Sequence, residues 1–334
     1  MKLGCMRPGR GWSRRQPRSL KNNRVSKYVI GARSWWQRRA PLAVSSPPHA
    51  RTDTSVPRQC LPLAPHIGAS MLIAQLSDLH VCAPEVLYHG LIDSNEMLVR
   101  AIDSVLELDL RPDFVVITGD VTADGLPEEY EHACALLGRL PMPWYVIPGN
   151  HDKREAFRQA FRGLGFLPET GPLNYAVSLG NLNLVALDST DDCSHAGSLD
   201  DQTLLWLEDA LLSFEGRPAL VVMHHPPFSC GISYLDAYGC VDGEKLAGLI
   251  GRHRGIEAVL CGHVHRSIVR KWANTLAMSA PSTASEIALR LSPLATPASF
   301  SAPVGYLLHM WSPVNGLVTH LVRSGLALDP LPFF

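Results

Sequence analysis

From Met71 onward the chain alternates short apolar runs with amphipathic ones, and this alternation restricts the fold more than any other feature. The run 71–77 (MLIAQLS) reads as a buried strand, and 94–108 as an amphipathic helix capped by Asp93 or Ser94. A strand at 113–118, a helix at 127–140 with Pro127 in its first turn, and a strand at 143–147 come next. A helix over 152–162 follows, with Asp152 at its N-terminus. Residues 174–188 predict two strands joined at Gly180-Asn181, a hairpin signal. Helices at 200–214 and 242–253 lead into strands at 219–224 and 256–261, and the last third turns to strands alone, at 266–272, 284–291, 304–311 and 316–322. Such an order predicts an α/β domain, a four-layer α-β-β-α sandwich of two mixed sheets flanked by helices.

The first seventy residues do not share this pattern. They hold fourteen Lys and Arg against a single acid, Asp53, for a net +13, whereas residues 71–334 hold sixteen against thirty acids, for a net −14. Rich in Arg, Ser and Pro and without a sustained period, residues 1–70 are expected to be a disordered basic extension, with Met71 as the native start. A basic arm for nucleic acid or a membrane surface and an organelle transit peptide are the other readings of this segment. Arg14-Arg15 is followed by no apolar region, which rules out a twin-arginine signal. No run of eighteen apolar residues exists, so no membrane span is expected. The eight cysteines, Cys5, Cys60, Cys82, Cys134, Cys193, Cys230, Cys240 and Cys261, are scattered without a CxxC pair. That spacing fits small buried residues in a reducing compartment and predicts a cytoplasmic protein.

Chemistry gathers where the strands stop. The first predicted strand ends in Asp78-Leu79-His80, the second in Gly119-Asp120 and the third in Gly149-Asn150-His151-Asp152. Two later ones end in His224-His225-Pro226-Pro227 and Gly262-His263-Val264-His265. Carboxyl ends of strands are where open α/β sheets place ligands. Asp78, His80, Asp120, Asn150, His224, His263 and His265 are oxygen and imidazole donors without a thiolate, a set suited to Zn, Mn, Fe or Co. Seven donors exceed one tetrahedral ion and suffice for two that share a carboxylate. Residues two apart in extended chain face the same way, so Asp78 with His80, and His263 with His265, are expected to enter one site as pairs. Gly119, Gly149 and Gly262 are expected to let the backbone turn sharply beside them.

In order along the chain, DLH at 78–80, GD at 119–120, GNHD at 149–152, HHPP at 224–227 and GHVH at 262–265 resemble the motifs of the calcineurin-like metallophosphoesterases. The resemblance covers nearly everything from Met71 to Val322. It implies that Asp78, His80, Asp120 and His265 hold one ion and that Asp120 bridges to a second held by Asn150, His224 and His263. His224 is preferred to His225 because the family's ligand sits two residues before the first proline, which leaves His225 a supporting or packing role. Asn150 would then be a neutral ligand, and His151 a donor to the leaving oxygen or to charge in the transition state.

The reaction so implied is hydrolysis of a phosphoester by water activated between two divalent or trivalent transition-metal ions, Fe, Mn, Zn or Co. Protein phosphatases of the superfamily carry GDxVDRG, whose Arg grips a monoester; here 119–125 reads GDVTADG, with Asp124 in place of that Arg, which favours a singly charged diester. The phrase GDVTADGLPEEY and the opening MLIAQLSDLH look like the branch of class III cyclic nucleotide phosphodiesterases and bacterial glycerophosphodiesterases. Tyr88 and His89 lie in a loop that either lines the pocket or faces solvent. The expected partner is a small phosphodiester rather than a nucleic acid polymer, since the body is acidic, and the branch implies a homo-oligomer. Alternatives are a broad-specificity phosphomonoesterase or a nuclease of the same superfamily. A non-catalytic scaffold is disfavoured because all seven donors are present.

Overall fold

The computed structural model describes residues 70–302 and 304–324. The expectations for the basic extension and for Cys5 and Cys60 therefore fall outside the described residues. In chain order the strands are β1 Met71–Leu76, β2 Phe114–Thr118, β3 Trp144–Ile147, β4 Tyr175–Leu179, β5 Leu182–Leu187, β6 Ala219–Met223 and β7 Ile256–Cys261. They continue as β8 Ile268–Trp272, β9 Thr275–Ser279, β10 Glu286–Ile287, β11 Ser299–Phe300, β12 Gly305–Ser312 and β13 Gly316–Arg323. The α-helices are α1 Ser94–Leu106, α2 Pro127–Leu137, α3 Arg154–Phe161, α4 Asp201–Ser213, α5 Ser233–Asp236 and α6 Gly243–Ile250.

Two mixed sheets stack face to face. One runs β13-β12-β1-β2-β3, antiparallel through β13-β12-β1 and parallel through β1-β2-β3; the other runs β4-β5-β6-β7-β9-β8, with a parallel centre and antiparallel edges. Strand alternation distributes the apolar side chains between layers. Ala74, Leu76, Val115, Ile117 and Val146 face α1, α2 and α3, while Ile73, Phe114, Val116 and Ile147 meet Leu184, Leu220, Val222 and Leu260 between the sheets. Val185, Val221 and Val259 pack against α4 and α6 on the far side. The central strands are covered on both faces, so their sequences read as continuous apolar runs. The predicted four-layer sandwich is the observed one.

Local chemistry sets the helix starts. Asp93 accepts from the Glu96 amide at 3.0 Å, and Asp200 from the Thr203 amide at 2.7 Å. Ahead of α2, Glu129 reaches back to the amides of Asp124 and Leu126. Asp152 departs from expectation: α3 starts at Arg154, and the carboxylate turns inward. There it accepts from the amides of Gly149, Val121 and Thr122 and from the Tyr130 hydroxyl. Asp152 thus ties the loop after β3 to the loop after β2 and does not serve the helix dipole.

The C-terminal third differs most from the sequence reading. Strand β9 was not anticipated; it is joined to β8 through Ala273 and Asn274, both at positive φ (47° and 66°). An alanine in that conformation carries no turn signature. The strand predicted at 284–291 shrinks to Glu286–Ile287 paired with Ser299–Phe300, and Leu289 and Leu291 beyond it are exposed. The apolar residues of β12 (Tyr306, Leu307 and Trp311) belong to the core. Among the described residues no helix is long and apolar enough to cross a membrane.

Candidate metal centre

The five marked strand ends arrive at one place. Asp78 and His80 follow β1, Asp120 follows β2, Asn150 follows β3, His224 follows β6, and His263 and His265 follow β7. Asp78, His80, Asp120 and His265 form a first group whose donor atoms lie within 4.8 Å of one another. His80 Nε2 stands 3.1 Å from His265 Nε2 and 3.8 Å from Asp120 Oδ2, and His265 Nε2 stands 3.4 Å from Asp78 Oδ1. A second group centres on Asn150 Oδ1, which lies 2.9 Å from His263 Nδ1 and 3.1 Å from His224 Nε2. His224 Nε2 is in turn 3.3 Å from Asp120 Oδ2, so the Asp120 carboxylate borders both groups.

These separations test the fit to metal. Four ligands at about 2.0–2.2 Å around a tetrahedral ion stand roughly 3.3–3.6 Å apart. Donor pairs spaced from 2.9 to 3.8 Å straddle that spacing, and the set is oxygen and nitrogen throughout. Two ions sharing Asp120 fit these residues.

The backbone route into the site is not the expected one. Asp78, His80, Asp120, His263 and His265 all have positive φ, between 46° and 70°. The two members of each D-x-H or H-x-H pair therefore enter through left-handed turns, not the pleat of an extended strand. Such conformations cost about 1–3 kcal/mol each, and they cluster at functional sites. Of the three glycines, only Gly119 uses positive φ (90°). Gly149 and Gly262 are needed for room: a Cβ at Gly149 would collide with the Asp120 carboxylate, and one at Gly262 with the Ser77 hydroxyl.

Charge at the site is already sorted. Burial raises the Asp120 carboxyl, but His224, His151 and His80 outweigh it and hold the group well below its ordinary range. Asp78 is lowered in the same way, with His265 overcoming burial. Burial holds His80 far down and His263 at about 3, so both rings keep a lone pair to offer. His224 moves the other way. Burial opposes its proton, yet Asp120 and Asp78 bring it to about 9.

Outer contacts fix the rings. His224 Nδ1 donates to the Thr118 carbonyl at 2.8 Å, and His265 Nδ1 meets Ser285 Oγ at 3.0 Å, leaving each Nε2 for the site. His225 has both nitrogens engaged, Nδ1 with Ser189 Oγ at 2.9 Å and Nε2 with the His195 carbonyl at 3.1 Å. Its ring thus braces the loop that carries His195. His151 Nδ1 sits 2.7 Å from the Ala123 carbonyl, and its backbone amide donates to Asp120 Oδ1 at 2.9 Å.

Sequence reasoning missed His195. Its Nδ1 accepts from the Asn150 side-chain amide at 3.1 Å, which turns Asn150 Oδ1 toward His224 and His263. No local pattern singles it out, since it lies in an exposed loop far along the chain from Asn150. The groups open into a cleft of about 330 Å³ whose lining includes Asp120, Asn150, His263 and His265. Tyr88, Ile92, Leu235 and Tyr238 are its more apolar lining residues, and His89 lines it too. Tyr88 stacks on His80 with ring centres 4.4 Å apart. Asp124 is exposed and lies outside the lining, and among the described residues no Lys or Arg lines the cleft.

Residues 71–267 match the calcineurin-like phosphoesterase family, over more than half of the 334 residues, and the chain belongs to that family. It is 33% identical over 265 residues to a protein of Arcobacter nitrofigilis named probable glycerophosphodiester phosphodiesterase, across 79% of this chain and 97% of the relative. It is 32% identical over 212 residues to a 3',5'-cyclic-nucleotide phosphodiesterase of Nostoc sp., across 63% of this chain and 77% of the relative. Among solved structures, a purple acid phosphatase from yellow lupin seeds aligns with a TM-score of 0.57 at 13% identity, across 78% of this chain and 52% of that one. That last likeness is one of fold.

Proposed function

We propose that this chain is a metal-dependent hydrolase of small phosphodiesters. In this reading Asp78, His80, Asp120 and His265 hold one ion, and Asp120, Asn150, His224 and His263 hold the other. The observation that carries it is the meeting of seven donors from five strand ends around one buried carboxylate, Asp120. When bound, the ions supply Lewis-acid charge at the phosphoryl group and make water acidic enough to attack at neutral pH. Fe, Mn, Zn and Co all suit the donor set, and availability selects among them.

The chain's own residues do the rest. Asp120 holds the two groups in register. His195 keeps the Asn150 carbonyl turned inward, and His225 keeps His195 in place. His151, with Nδ1 occupied by the Ala123 carbonyl, has Nε2 for the ester oxygen; protonated there, it delivers the proton that a departing alkoxide requires.

Among the described residues the cleft lining carries histidines but no Lys or Arg, with Lys153 and Arg154 lining the adjoining hollow past Asn150 and His195, so no guanidinium grips a monoester there, which supports a diester. The sequence placed that preference on Asp124; the structure moves it to the missing arginine. Glycerophosphodiesters and 3',5'-cyclic nucleotides are the proposed substrate classes, in line with the names of the two relatives. A cytoplasmic location and self-association belong to the same proposal. The six described cysteines, all free, support the first, and light scattering reads the second.

The test is a reconstituted screen of cAMP, glycerophosphocholine, glycerophosphoethanolamine and the bis and mono p-nitrophenyl esters, with Asp120→Ala in parallel. Turnover of diesters by the native chain, lost in Asp120→Ala together with the ions, is the expected result. Full activity in Asp120→Ala refutes the assignment.

A further inference from the structure

A line of buried polar side chains crosses the space between the two sheets and ends on Asp78. Its direction follows from what each group can do. Ionised Asp78 only accepts, so the Ser77 hydroxyl must donate to its Oδ2, at 2.6 Å. Ser77 Oγ then accepts from Thr118 Oγ1 at 2.8 Å, and Thr118 Oγ1 accepts from Gln75 Nε2 at 3.0 Å. The second Gln75 amide proton goes to the Cys261 carbonyl on β7 at 2.9 Å, which fixes the amide's orientation. Gln75 Oε1 therefore accepts from His309 Nε2 at 3.0 Å, and His309 Nδ1 accepts from Thr319 Oγ1 at 2.8 Å. Along the line itself every donated proton runs toward Asp78, and only the second Gln75 proton leaves it. Gln75, Ser77, Thr118 and His309 are fully buried, in a layer otherwise filled by Ile73, Val116, Leu260 and Leu307.

Polar groups this deep are expensive to bury unless each partner is in place, and a chain of like-directed bonds strengthens its members. Burial pushes His309 down to about 3, which keeps it the neutral ring that the line needs. The line also touches the second group of donors, since the Thr118 backbone carbonyl accepts from His224 Nδ1. At its end, the Ser77 hydroxyl bonds Asp78 Oδ2 alone, the His263 backbone amide donates to both Oδ1 and Oδ2 at 3.0 Å, and Oδ1 lies 3.4 Å from His265 Nε2. The room for this contact comes from Gly262, where any side chain would strike Ser77 Oγ.

We propose that Ser77 and Thr118, backed by Gln75 and His309, are positioning residues that, with the His263 amide, hold the Asp78 carboxylate with Oδ2 on the hydroxyl line and Oδ1 turned toward His265 and a metal ion. From the sequence alone, Ser77 only ends the first predicted strand. The proposal rests on the reading of Asp78 as a ligand. Without the Ser77 hydroxyl, the remaining backbone contact, the His263 amide, touches both oxygens equally and does not distinguish Oδ1 from Oδ2, and Thr118 Oγ1 loses the oxygen it serves. Loss of an outer contact of this kind weakens metal binding by about 10–100-fold.

The test uses the full chain, stripped by a chelator and titrated with Co²⁺, reading affinity and the visible spectrum. Ser77→Ala is expected to weaken one of the two sites by about 10–100-fold and to change its spectrum. Thr118→Val should have a smaller effect, His309→Leu a smaller one still, and Thr118→Ser should restore native binding. A purely structural role would lower the melting temperature and leave Co²⁺ affinity and spectrum native in the folded protein, which overturns the proposal. Asp78→Ala separates the two failures. If it loses an ion while Ser77→Ala binds natively, only the positioning role is wrong. If Asp78→Ala binds both ions natively, the ligand assignment fails and the positioning role with it.

Discussion

Substituting Gly149 by alanine isolates steric fit from backbone strain, because Gly149 does not use positive φ. The added methyl would lie 2.8 Å from Asp120 Cγ, and the Asp120 backbone nitrogen is also in its way. An ordinary carbon–carbon contact needs about 3.5–4.0 Å, so the carboxylate must move by roughly 1 Å. Metal–ligand distances tolerate about 0.2 Å, which a shift of that size exceeds several times over. Overpacking a filled site costs about 1–3 kcal/mol of stability. A misplacement near 1 Å lowers turnover by about 100-fold, and displacing a shared ligand should cost at least that. The expected outcome for Gly149→Ala is a folded protein with reduced metal content and diesterase activity down by about 100-fold or more. Hydrolysis of bis-p-nitrophenyl phosphate, with metal content measured on the same sample, provides the assay. Gly248→Ala is the control, since its methyl meets nothing within 4 Å and lies inside α6. Native metal content and activity in Gly149→Ala would refute the claim that Asp120 has no room to move.

Other outcomes follow from the same geometry. His151→Ala should keep its metals and lose turnover by about 10²–10⁴-fold, with the larger loss on esters of poorly acidic alcohols; equal loss across leaving groups contradicts proton delivery. His195→Ala should weaken only the ion held by Asn150, and His195→Gln, which can accept from the same amide, should recover much of it. With His224 raised to about 9, the ring carries a proton at pH 7, so metal uptake there should release one; calorimetry in buffers of different ionisation heat reads it, and the release should fade above pH 9. His309, held at about 3, stays neutral when folded but takes up a proton below about 6.5 when unfolded. Its contribution to stability is whole above that pH and declines by up to about 1.4 kcal/mol per unit as pH falls toward 3, so His309→Gln should flatten the acid limb of a denaturation series.

How much of this was legible beforehand depends on the range of the interaction. Apolar periodicity and capping residues are local, so the central strands and the five longer helices could be placed within a few residues. The donors were legible for a similar reason: each sits at a strand end, where Asp120, Asn150, His224 and His263 stand beside glycine or a second histidine and Asp78 stands two before His80. The C-terminal third was harder. The turn at Ala273-Asn274 has no glycine, and Leu289 and Leu291 look like strand core while lying in solvent.

The sequence by itself determined the layers, the strand ends and the identity of the donors, because burial pattern and residue chemistry are properties of short segments. Only the tertiary structure decided how they are held. Left-handed turns rather than pleats aim Asp78, His80, His263 and His265, and Asp152 faces inward to lock two loops together. His195 reaches Asn150, and Thr319 reaches Asp78 through five intervening hydrogen bonds, by crossing between elements far apart in the chain. Hydrogen bonds act over about 3 Å in space whatever the separation in sequence, so partners of this kind leave no periodic mark for a reader of the sequence to find.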